Sequence, residues 1–597
     1  MTRTLEMGAT PGATGVRFRV WAPHAQKVFV TGTFNDWSPD ATPLTVDNAG
    51  CWAAEVPAAA VGHEYRYLIQ GPQGPVSRID PYARQVTHSA GNGIICDPRA
   101  FDWGDDSFRI AAGNELVLYE LHVGTFNATR DGHPGTLDSA VERLPDLQRL
   151  GINAIELMPL AEFPGDFSWG YNPAHPFTVE SAYGGPDALR RFVKAAHGHG
   201  IAVIVDIVFN HLGPADLGLW QFDGWSEGGM GGIYFYNDRR AHTPWGDTRP
   251  DYSRDEVRAY LRDNAMMWLD EYHADGLRWD MVAYIKSVDG SIDDPANDLP
   301  EGRSLLQWIN TETGQRFPGR IRIGESMRDD PWVTRAIDAG GAGFDAQWDA
   351  QFVHSVRQAV IAPDDQRRDL DSVRRAIEHR SEPDAFRRVI FTESHDEVAN
   401  GHARVPEEIW PGNVGSWFSR KRSTLAGALV LVSPGIPMLF QGQEFLEDRW
   451  FQDRDPIDWS RAEEERGILA MYQALIALRR NRSGVTGGLC GRNVAVHHVD
   501  DAAKVLAFHR WERPGPTDSV VVVVNLANRV VDGTRIGFPR AGTWKTRFNS
   551  DSDAYGADFA NHPAPDVEAG GEGADGLPSS GMVGIGPYTV LILSQDG

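Results

Sequence analysis

Alternation of apolar and polar residues with a period of two dominates the first hundred positions. Val16, Phe18 and Val20 alternate with polar residues, and residues 64–69 alternate in the same way. This period puts every second side chain on one face of a strand, and turn-forming residues separate the segments. The pattern predicts a small β-sandwich as the first domain, over residues 1–105.

From residue 106 to 484 the pattern changes to apolar runs that alternate with segments of helical period. Residues 201–208 are nearly all aliphatic, which is typical of a parallel strand buried on both faces. Eight such strand candidates, most of them followed by a helix, predict a closed (β/α)8 barrel. The Gly- and Trp-rich segment 212–252 is predicted to be one long loop with a functional role.

Residues 485–597 return to strand patterns and predict a second β-sandwich. Within this domain, residues 561–581 are rich in Gly, Pro and Asp and are predicted to form a flexible loop. The expected fold class is therefore multidomain α/β, with a central TIM barrel flanked by N-terminal and C-terminal β-sandwiches.

Composition and charge narrow the classes of partner. The 597 residues carry a formal net charge of -25, which disfavours nucleic acid and anionic membranes, because both attract clustered Lys and Arg. The three cysteines are far apart, so neither a disulfide framework nor a zinc site is predicted. No leader-like segment and no run of 18 apolar residues is visible, so we expect a cytoplasmic protein. The oligomeric state is left open.

Polar residues cluster where the predicted barrel strands end, which is where such barrels place catalytic groups. Asp280 and Glu325 close the fourth and fifth strands, and Asp396 follows the seventh. Because strand ends share one pocket, we predict that these three acids meet there as catalytic residues. The same pocket is predicted to contain the following substrate-binding side chains: Tyr171, Asp206, His211, Arg278 and His395.

The charges near two of the acids predict different protonation states. Arg278 lies two residues before Asp280, so the guanidinium is expected to lower the pKa of Asp280 and keep it ionised. Glu325 has no cation beside it in sequence and faces other acids, so its pKa is expected to be raised. An ionised carboxylate and a protonated one in a single cleft form the arrangement that cleaves glycosidic bonds.

Plainer interpretations remain alongside this one. A strand-end acid alone is more often a cap or a surface charge, and Asp206 alternatively serves only to hold the loop after the third strand. His211 and the acids would also suit a metal ion, yet no spacing such as His-x-x-x-His occurs. We therefore predict no cofactor, and a structural calcium ion has no support in the sequence. A non-catalytic glucan-binding protein is disfavoured, because Asp280 and Glu325 are both present.

Four stretches, in their order and spacing, resemble the hallmark regions of the α-amylase family, the family 13 glycoside hydrolases. They are Asp206-Ile-Val-Phe-Asn-His211, Gly276-Leu-Arg-Trp-Asp280, Gly324-Glu325 and Ser394-His-Asp396. The resemblance implies a retaining double displacement, in which Asp280 forms the glycosyl-enzyme and Glu325 protonates the leaving oxygen. It also implies that Asp396 binds the 2- and 3-hydroxyls of the cleaved sugar. Its subsite would be lined by Tyr171, His211, Arg278 and His395.

The N-terminal domain resembles the glycogen-binding-type module of branching and debranching members. The resemblance rests on Phe18-Arg-Val-Trp-Ala-Pro23 and Gly32-Thr-Phe-Asn-Asp-Trp37. Whether this module binds glucan or only braces the barrel stays open. Bracing is slightly favoured, because Trp21, Trp37 and Trp52 are all expected to lie in its core.

The resemblance points to two kinds of member. His395-Asp-Glu-Val398 and Trp169-Gly-Tyr-Asn-Pro173 look like 1,4-α-glucan branching enzymes, whereas Glu120-Leu-His-Val-Gly-Thr-Phe126 looks closer to maltooligosyltrehalose trehalohydrolases. Phe209-Asn-His211 also departs from the Pro-Gly-His that is usual in bacterial branching enzymes. An α-glucan (amylose, glycogen or maltooligosaccharide) is the expected partner. Branching by transfer is preferred, and a hydrolase of the family (α-amylase, debranching enzyme or trehalohydrolase) is the alternative.

Overall fold

The computed structural model describes residues 7–104, 107–129, 132–292, 294–326, 328–380 and 384–597. Its N-terminal part is a sandwich of short strands: β1 (Gly8–Gly12), β2 (Gly15–Trp21), β3 (Lys27–Gly32), β4 (Thr45–Val46), β5 (Cys51–Val56), β6 (Glu64–Gly71), β7 (Gly74–Arg78), β8 (Gln85–Val86) and β9 (Gly93–Ile94). One sheet has the order β1-β2-β5-β4 and the other β3-β6-β9-β8, with β7 beside β6. The alternating residues of β2 face the core, as the period of two predicts.

One expectation about this sandwich is wrong. Trp21 and Trp52 are buried in its core, but Trp37 is 39% exposed. Trp37 follows a short helical turn and adopts a left-handed backbone conformation with φ of +58°. The turn carries its indole away from the sheets, and the local sequence pattern does not encode that direction.

Eight parallel strands close into the predicted barrel in the middle of the chain. The strands of this region are β10 (Leu118–Leu121), β11 (Ala154–Leu157), β12 (Ala161–Glu162), β13 (His175–Val179), β14 (Ala202–Ile207), β15 (Gly276–Trp279), β16 (Ile321–Gly324), β17 (Ala346–Trp348), β18 (Arg388–Ile390) and β19 (Ile436–Phe440). The hairpin β12–β13 lies outside the barrel, and β19 pairs back to β10 to close it. All strand ends that carry the predicted acids therefore open on one side.

Helices pack around the barrel and cover its apolar strands. They are α1 (Val123–Phe126), α2 (Leu137–Val141), α3 (Leu144–Leu150), α4 (Gly185–Gly198), α5 (Asp255–Asp270), α6 (Ala283–Lys286), α7 (Pro300–Arg316), α8 (Pro331–Thr334), α9 (Ala350–Ile361), α10 (Leu370–Glu378), α11 (Val405–Ile409), α12 (Trp417–Val432), α13 (Arg461–Glu464) and α14 (Arg466–Arg479). The helical period over residues 137–150 is divided between α2 and α3, because Pro145 starts a new helix at its first turn.

The C-terminal part is again a β-sandwich. Its strands are β20 (Asn493–Asp500), β21 (Val505–Trp511), β22 (Val520–Asn525), β23 (Val531–Phe538), β24 (Gly542–Asn549), β25 (Val567–Ala569), β26 (Ser579–Ile585) and β27 (Thr589–Ser594). A sheet of order β20-β21-β22-β27-β24-β25 packs against the pair β23–β26. The predicted flexible loop 561–581 is partly wrong, since β25 pairs with β24 there and buries Val567 and Ala569.

Two further features concern the described residues alone. None of the helices found there is both long and apolar enough to cross a bilayer. Cys51, Cys96 and Cys490 are free thiols.

Candidate active site

The barrel strand ends bring the predicted site residues to one cleft. Its volume is about 810 Å³, and its lining includes Asp280 after β15, His395 and Asp396 after β18, and two residues of the neighbouring loops, Tyr171 and His211. The other three predicted residues form the buried floor beneath it: Asp206 on β14, Arg278 on β15 and Glu325 after β16. All eight predicted residues thus belong to one contiguous site.

Arg278 connects the carboxylates of this floor. Its Nη1 lies 2.6 Å from Oδ2 of Asp206 and 3.3 Å from Oδ1 of Asp280, and its Nη2 lies 2.8 Å from Oε2 of Glu325. The guanidinium also lies over the ring of Trp348, 4.4 Å from its centroid, which fixes its plane. Glu325 has no cation beside it in sequence, but parallel neighbouring strands place it next to Arg278, 47 positions away.

The pKa expected for Asp280 needs correction. Burial, and after it the neighbouring Glu325 carboxylate, raise the pKa of Asp280 well above its usual range, although Arg278 opposes the shift. A hydrogen bond between the two carboxyl groups contributes in the same direction. The prediction of a lowered Asp280 pKa is wrong because it counted Arg278 and omitted desolvation. Arg278 contacts both carboxyl groups.

The backbone after Asp280 is held in an unusual conformation. Met281 has φ of +39°, in the left-handed region that non-glycine residues rarely adopt. From there its N–H donates a hydrogen bond to Oε2 of Glu325 at 2.9 Å. Strained backbone of this kind concentrates at functional sites, where the surroundings hold it in place. Here it couples the positions of the two candidate catalytic carboxyl groups.

Asp206 supports the floor from one side. Its Oδ2 accepts a hydrogen bond from the Tyr171 hydroxyl at 2.6 Å as well as from Arg278, and burial raises the pKa of Asp206 to about 6. Asp206 does not line the cleft, whereas Tyr171 does. The geometry favours the alternative in which Asp206 acts structurally, by orienting Arg278 and Tyr171.

The turn that presents Tyr171 needs glycine. Gly170 has φ of +94°, and a Cβ built on it would lie 2.4 Å from the carbonyl oxygen of Pro159. Tyr171 then stacks on His395 with ring centroids 4.8 Å apart, and Trp169 contacts the same imidazole edge-on. These aromatic rings form one wall of the cleft.

Sequence reasoning missed Glu120 as a member of this site. This residue lies on β10, and its carboxylate accepts hydrogen bonds from Nδ1 of His395 at 2.6 Å and from the His395 backbone N–H at 3.0 Å. Burial lowers the pKa of His395, but the Asp396 and Glu120 carboxylates outweigh it and raise the pKa to about 9. The sequence signal that could have identified Glu120 is a charged residue inside an otherwise uncharged barrel strand.

His211 and Asp396 differ sharply in their surroundings. Nε2 of His211 donates to the carbonyl oxygen of Tyr171 at 2.8 Å, and burial lowers the pKa of His211 to about 4, so its ring is neutral. Asp396 keeps 40% of its side chain exposed and lies 3.6 Å from Nε2 of His395. Among the three acids, Asp396 is the most exposed to the cleft, where a carboxylate is able to accept hydrogen bonds from sugar hydroxyls.

The donor set gives no sign of a metal centre. Within the described ranges no group of three or more His, Cys, Asp or Glu side chains is arranged to hold a metal ion. The charged groups of the site instead pair with one another, Arg278 with Glu325 and His395 with Glu120. What the arrangement offers chemically is proton transfer and nucleophilic attack by carboxyl groups.

Comparison with known proteins agrees with this geometry. Family models match three parts of the chain: "Carbohydrate-binding module 48 (Isoamylase N-terminal domain)" at residues 6–83, "Alpha amylase, catalytic domain" at 104–217 and 248–473, and "Alpha amylase, C-terminal all-beta domain" at 496–596. The catalytic-domain match spans both strand ends that carry Asp280 and Glu325.

Similar proteins exist among curated sequences and solved structures. A 1,4-alpha-glucan branching enzyme GlgB 2 of Xanthomonas oryzae pv. oryzae is 33% identical, over 92% of this chain and 78% of its own length. The branching enzyme GlgB of Rhodospirillum rubrum is 30% identical, over 99% of this chain and 82% of its own length. A pullulanase from Anoxybacillus sp. LM18-11, solved with maltotetraose, superposes with a TM-score of 0.77 at 21% identity, covering 99% of this chain and 87% of its own.

A putative alpha amylase from Salmonella typhimurium has the same fold, with a TM-score of 0.73 at 23% identity. The superposition covers 99% of this chain and 100% of the Salmonella chain. The fold, the strand-end carboxyl pair and the family matches point the same way. With a barrel that carries these acids between a carbohydrate-binding module and an all-β C-terminal domain, this chain belongs to the α-amylase family.

Proposed function

We propose that this protein is a 1,4-α-glucan branching enzyme, which cuts an α-1,4 bond and transfers the released chain to a 6-hydroxyl of a glucan. The observation that carries the proposal is the pair Asp280 and Glu325, joined through Arg278 in one cleft. Branching is preferred over hydrolysis because the branching enzymes of Xanthomonas and Rhodospirillum are 30% or more identical over at least 92% of the chain.

The proposed first step breaks the glycosidic bond at the floor of the cleft. An oxygen of Asp280 attacks the anomeric carbon, the bond to the leaving oxygen breaks, and Glu325 donates its proton to that oxygen. Asp396 binds hydroxyls of the sugar, and the protonated His395 donates a hydrogen bond to it.

The proposed second step reverses the roles. Glu325, now a carboxylate, takes the proton of an acceptor 6-hydroxyl, whose oxygen attacks the anomeric carbon and displaces Asp280. Each step inverts the anomeric carbon, so the two steps together retain the α configuration. They use side chains alone, so the reaction is proposed to need no cofactor.

A hydrolase of the same family is the second candidate. Phe209-Asn-His211 at the end of strand β14 differs from the Pro-Gly-His of bacterial branching enzymes, and this segment borders the cleft through His211. In that case water replaces the acceptor hydroxyl in the second step.

Incubation with amylose separates the two. A branching enzyme lowers iodine staining, releases few reducing ends and creates bonds that isoamylase cuts. Release of reducing ends in proportion to the loss of staining, with no isoamylase-sensitive bonds, would refute branching. A trehalose-capped maltooligosaccharide serves as the parallel substrate, because release of trehalose identifies a trehalohydrolase. Asp280→Asn protein is the inactive control.

A further inference from the structure

The long segment 212–252 places one tryptophan in the cleft. Trp245 lines the same cleft as Asp280, and 39% of the residue is exposed. The catalytic-domain family match omits residues 218–247, so this tryptophan lies in a part of the chain that the family pattern does not describe. A large aromatic face held open beside a nucleophile calls for an explanation.

The turn beneath Trp245 is rigidly built. The Trp245 N–H donates to Oγ1 of Thr243 at 3.2 Å, and the Thr243 N–H donates to the carbonyl oxygen of Gly246 at 2.9 Å. At the base of the turn, Oγ1 of Thr248 donates to the carbonyl oxygen of Leu212, directly after the third barrel strand. The indole is therefore held in position by the protein's own contacts, which lowers the cost of binding a partner.

The N-terminal sandwich braces the same segment. The backbone N–H of His24 donates to Oδ2 of Asp223 at 2.9 Å, and Nε of Arg78 donates to the carbonyl oxygen of Phe222 at 3.0 Å. These contacts join residues more than 140 positions apart. They anchor the first half of the long segment to the N-terminal sandwich.

The ring contacts leave part of the indole open. Trp245 stacks on His211, with centroids 4.7 Å apart and planes at 14°, and contacts Tyr284 edge-on at 5.1 Å. His211 covers one face, and its neutral ring makes no ion pair there. The exposed part of Trp245, with Tyr284 beside it, forms an aromatic platform on the cleft wall.

Backbone contacts show which side of the nucleophile this platform occupies. Tyr284 lies in α6, which starts three residues after Asp280. The N–H of Met281 and the N–H of Val282 both donate to Glu325, to its Oε2 and its carbonyl oxygen. The segment that carries Tyr284 is thus packed on the candidate acid/base. His395 and Asp396, three barrel strands further round, belong to another wall.

We propose that Trp245 is the acceptor-binding platform, on which a glucose ring of the incoming glucan stacks while its hydroxyl attacks the glycosyl-Asp280 intermediate. This inference rests on the proposed function. Glu325 exchanges a proton with the leaving oxygen and later with the attacking oxygen. A glucose ring that stacks next to Glu325 therefore holds its hydroxyl where it competes with water for the anomeric carbon. In the step itself, the bond from the anomeric carbon to Asp280 breaks, the bond to the acceptor oxygen forms, and the proton passes to Glu325.

The test compares Trp245→Ala with two reference variants. Trp245→Leu keeps apolar bulk over His211 but removes the aromatic face, and Trp308→Ala removes a tryptophan of equal 39% exposure on α7, outside the cleft. Amylose is the donor and maltoheptaose the added acceptor. The readouts are isoamylase-sensitive bonds, reducing ends, and the half-saturating maltoheptaose concentration.

Trp245→Ala and Trp245→Leu are expected to raise the half-saturating maltoheptaose concentration and to lower the ratio of transfer to hydrolysis, each by about tenfold. Trp308→Ala is expected to match the wild-type protein. Unchanged acceptor saturation in both Trp245 variants, or equal losses in Trp308→Ala, would overturn the inference.

Failure of the proposed function gives a different result. If the wild-type protein forms no α-1,6 bonds, branching is refuted, and the platform is judged by maltoheptaose binding to Asp280→Asn protein. If the double variant Asp280→Asn/Trp245→Leu binds maltoheptaose more weakly than Asp280→Asn alone, the result supports a glucan-binding platform in a hydrolase. Equal affinity of the two proteins refutes the platform as well.

Discussion

Nδ1 of His395 lies 2.6 Å from Oε1 of Glu120, in a buried ion pair that joins the first and seventh strands of the barrel. The imidazole is bound on its other side by Asp396, 3.6 Å away. Two carboxylates therefore hold one imidazolium at the edge of the cleft, and its charge depends on both of them.

Glu120→Gln is expected to shift the pH dependence of activity. Burial lowers the pKa of His395, but Asp396 and Glu120 raise it from 6.5 to about 9, so the ring stays protonated at neutral pH. Loss of the Glu120 charge lowers that pKa, and the alkaline limb of the kcat/KM profile moves to lower pH. Activity at acid pH is affected less. An alkaline limb that does not move would contradict the assigned role.

The same pair makes a prediction about stability. A histidine whose pKa is raised on folding contributes stability that is complete below its unfolded pKa of about 6.5. This contribution is lost as the pH rises through about 9, the folded value. The melting temperature of the wild-type protein is expected to fall over this range more steeply than that of Glu120→Gln. Parallel pH profiles of Tm would contradict this.

Arg278→Lys is expected to reduce kcat by about 10²-fold, since an ammonium cannot contact Asp206, Asp280 and Glu325 together and the acids lose their alignment. Steady-state kinetics on amylose measures the loss. Arg84→Lys is the matched control, because Arg84 forms a two-point ion pair with Glu271 outside the cleft. Comparable losses in both variants would mean that Arg278 serves stability alone.

The roles of the two acids are separable with a substrate that has a good leaving group. Asp280→Asn is expected to lower activity at least about 10³-fold on both amylose and an α-maltosyl fluoride, because no nucleophile remains. Glu325→Gln is expected to be inactive on amylose yet to release fluoride, because that leaving group needs no proton. The measurement is fluoride release. Equal rates for the two variants would contradict the assignment.

Gly170→Ala is expected to damage both stability and activity. The methyl group would strain a left-handed backbone and meet the carbonyl oxygen of Pro159 at 2.4 Å, so we expect a loss of about 1–3 kcal/mol and a displaced Tyr171. Gly165→Ala is the control, with φ of +78° and nothing within 4 Å. It carries only the backbone cost, about 1 kcal/mol. Chemical denaturation and kcat/KM measure the effects of the two substitutions. Equal effects would contradict the inference that close packing against Pro159 requires glycine at position 170.

Several features of this protein were predictable from sequence for simple reasons. Periods of two and of about 3.6 residues arise from local geometry, so the barrel and both sandwiches follow from the chain itself. Asp280, Glu325 and Asp396 were found because strand ends of a barrel converge wherever they lie in sequence. The loop predicted at 561–581 was partly wrong, because pairing at a sheet edge compensates for a Gly-rich composition there.

The sequence by itself determined that the eight predicted residues meet at one end of the barrel, because strand order and strand direction decide that. Only the tertiary structure decided how they interact. It placed Arg278 among three carboxylates rather than beside one, placed Glu120 against a histidine 275 positions away, and placed Trp245 in the cleft that Asp280 lines. These outcomes depend on distances across the barrel and on the loss of water around buried charges, and no local pattern of residues encodes either quantity.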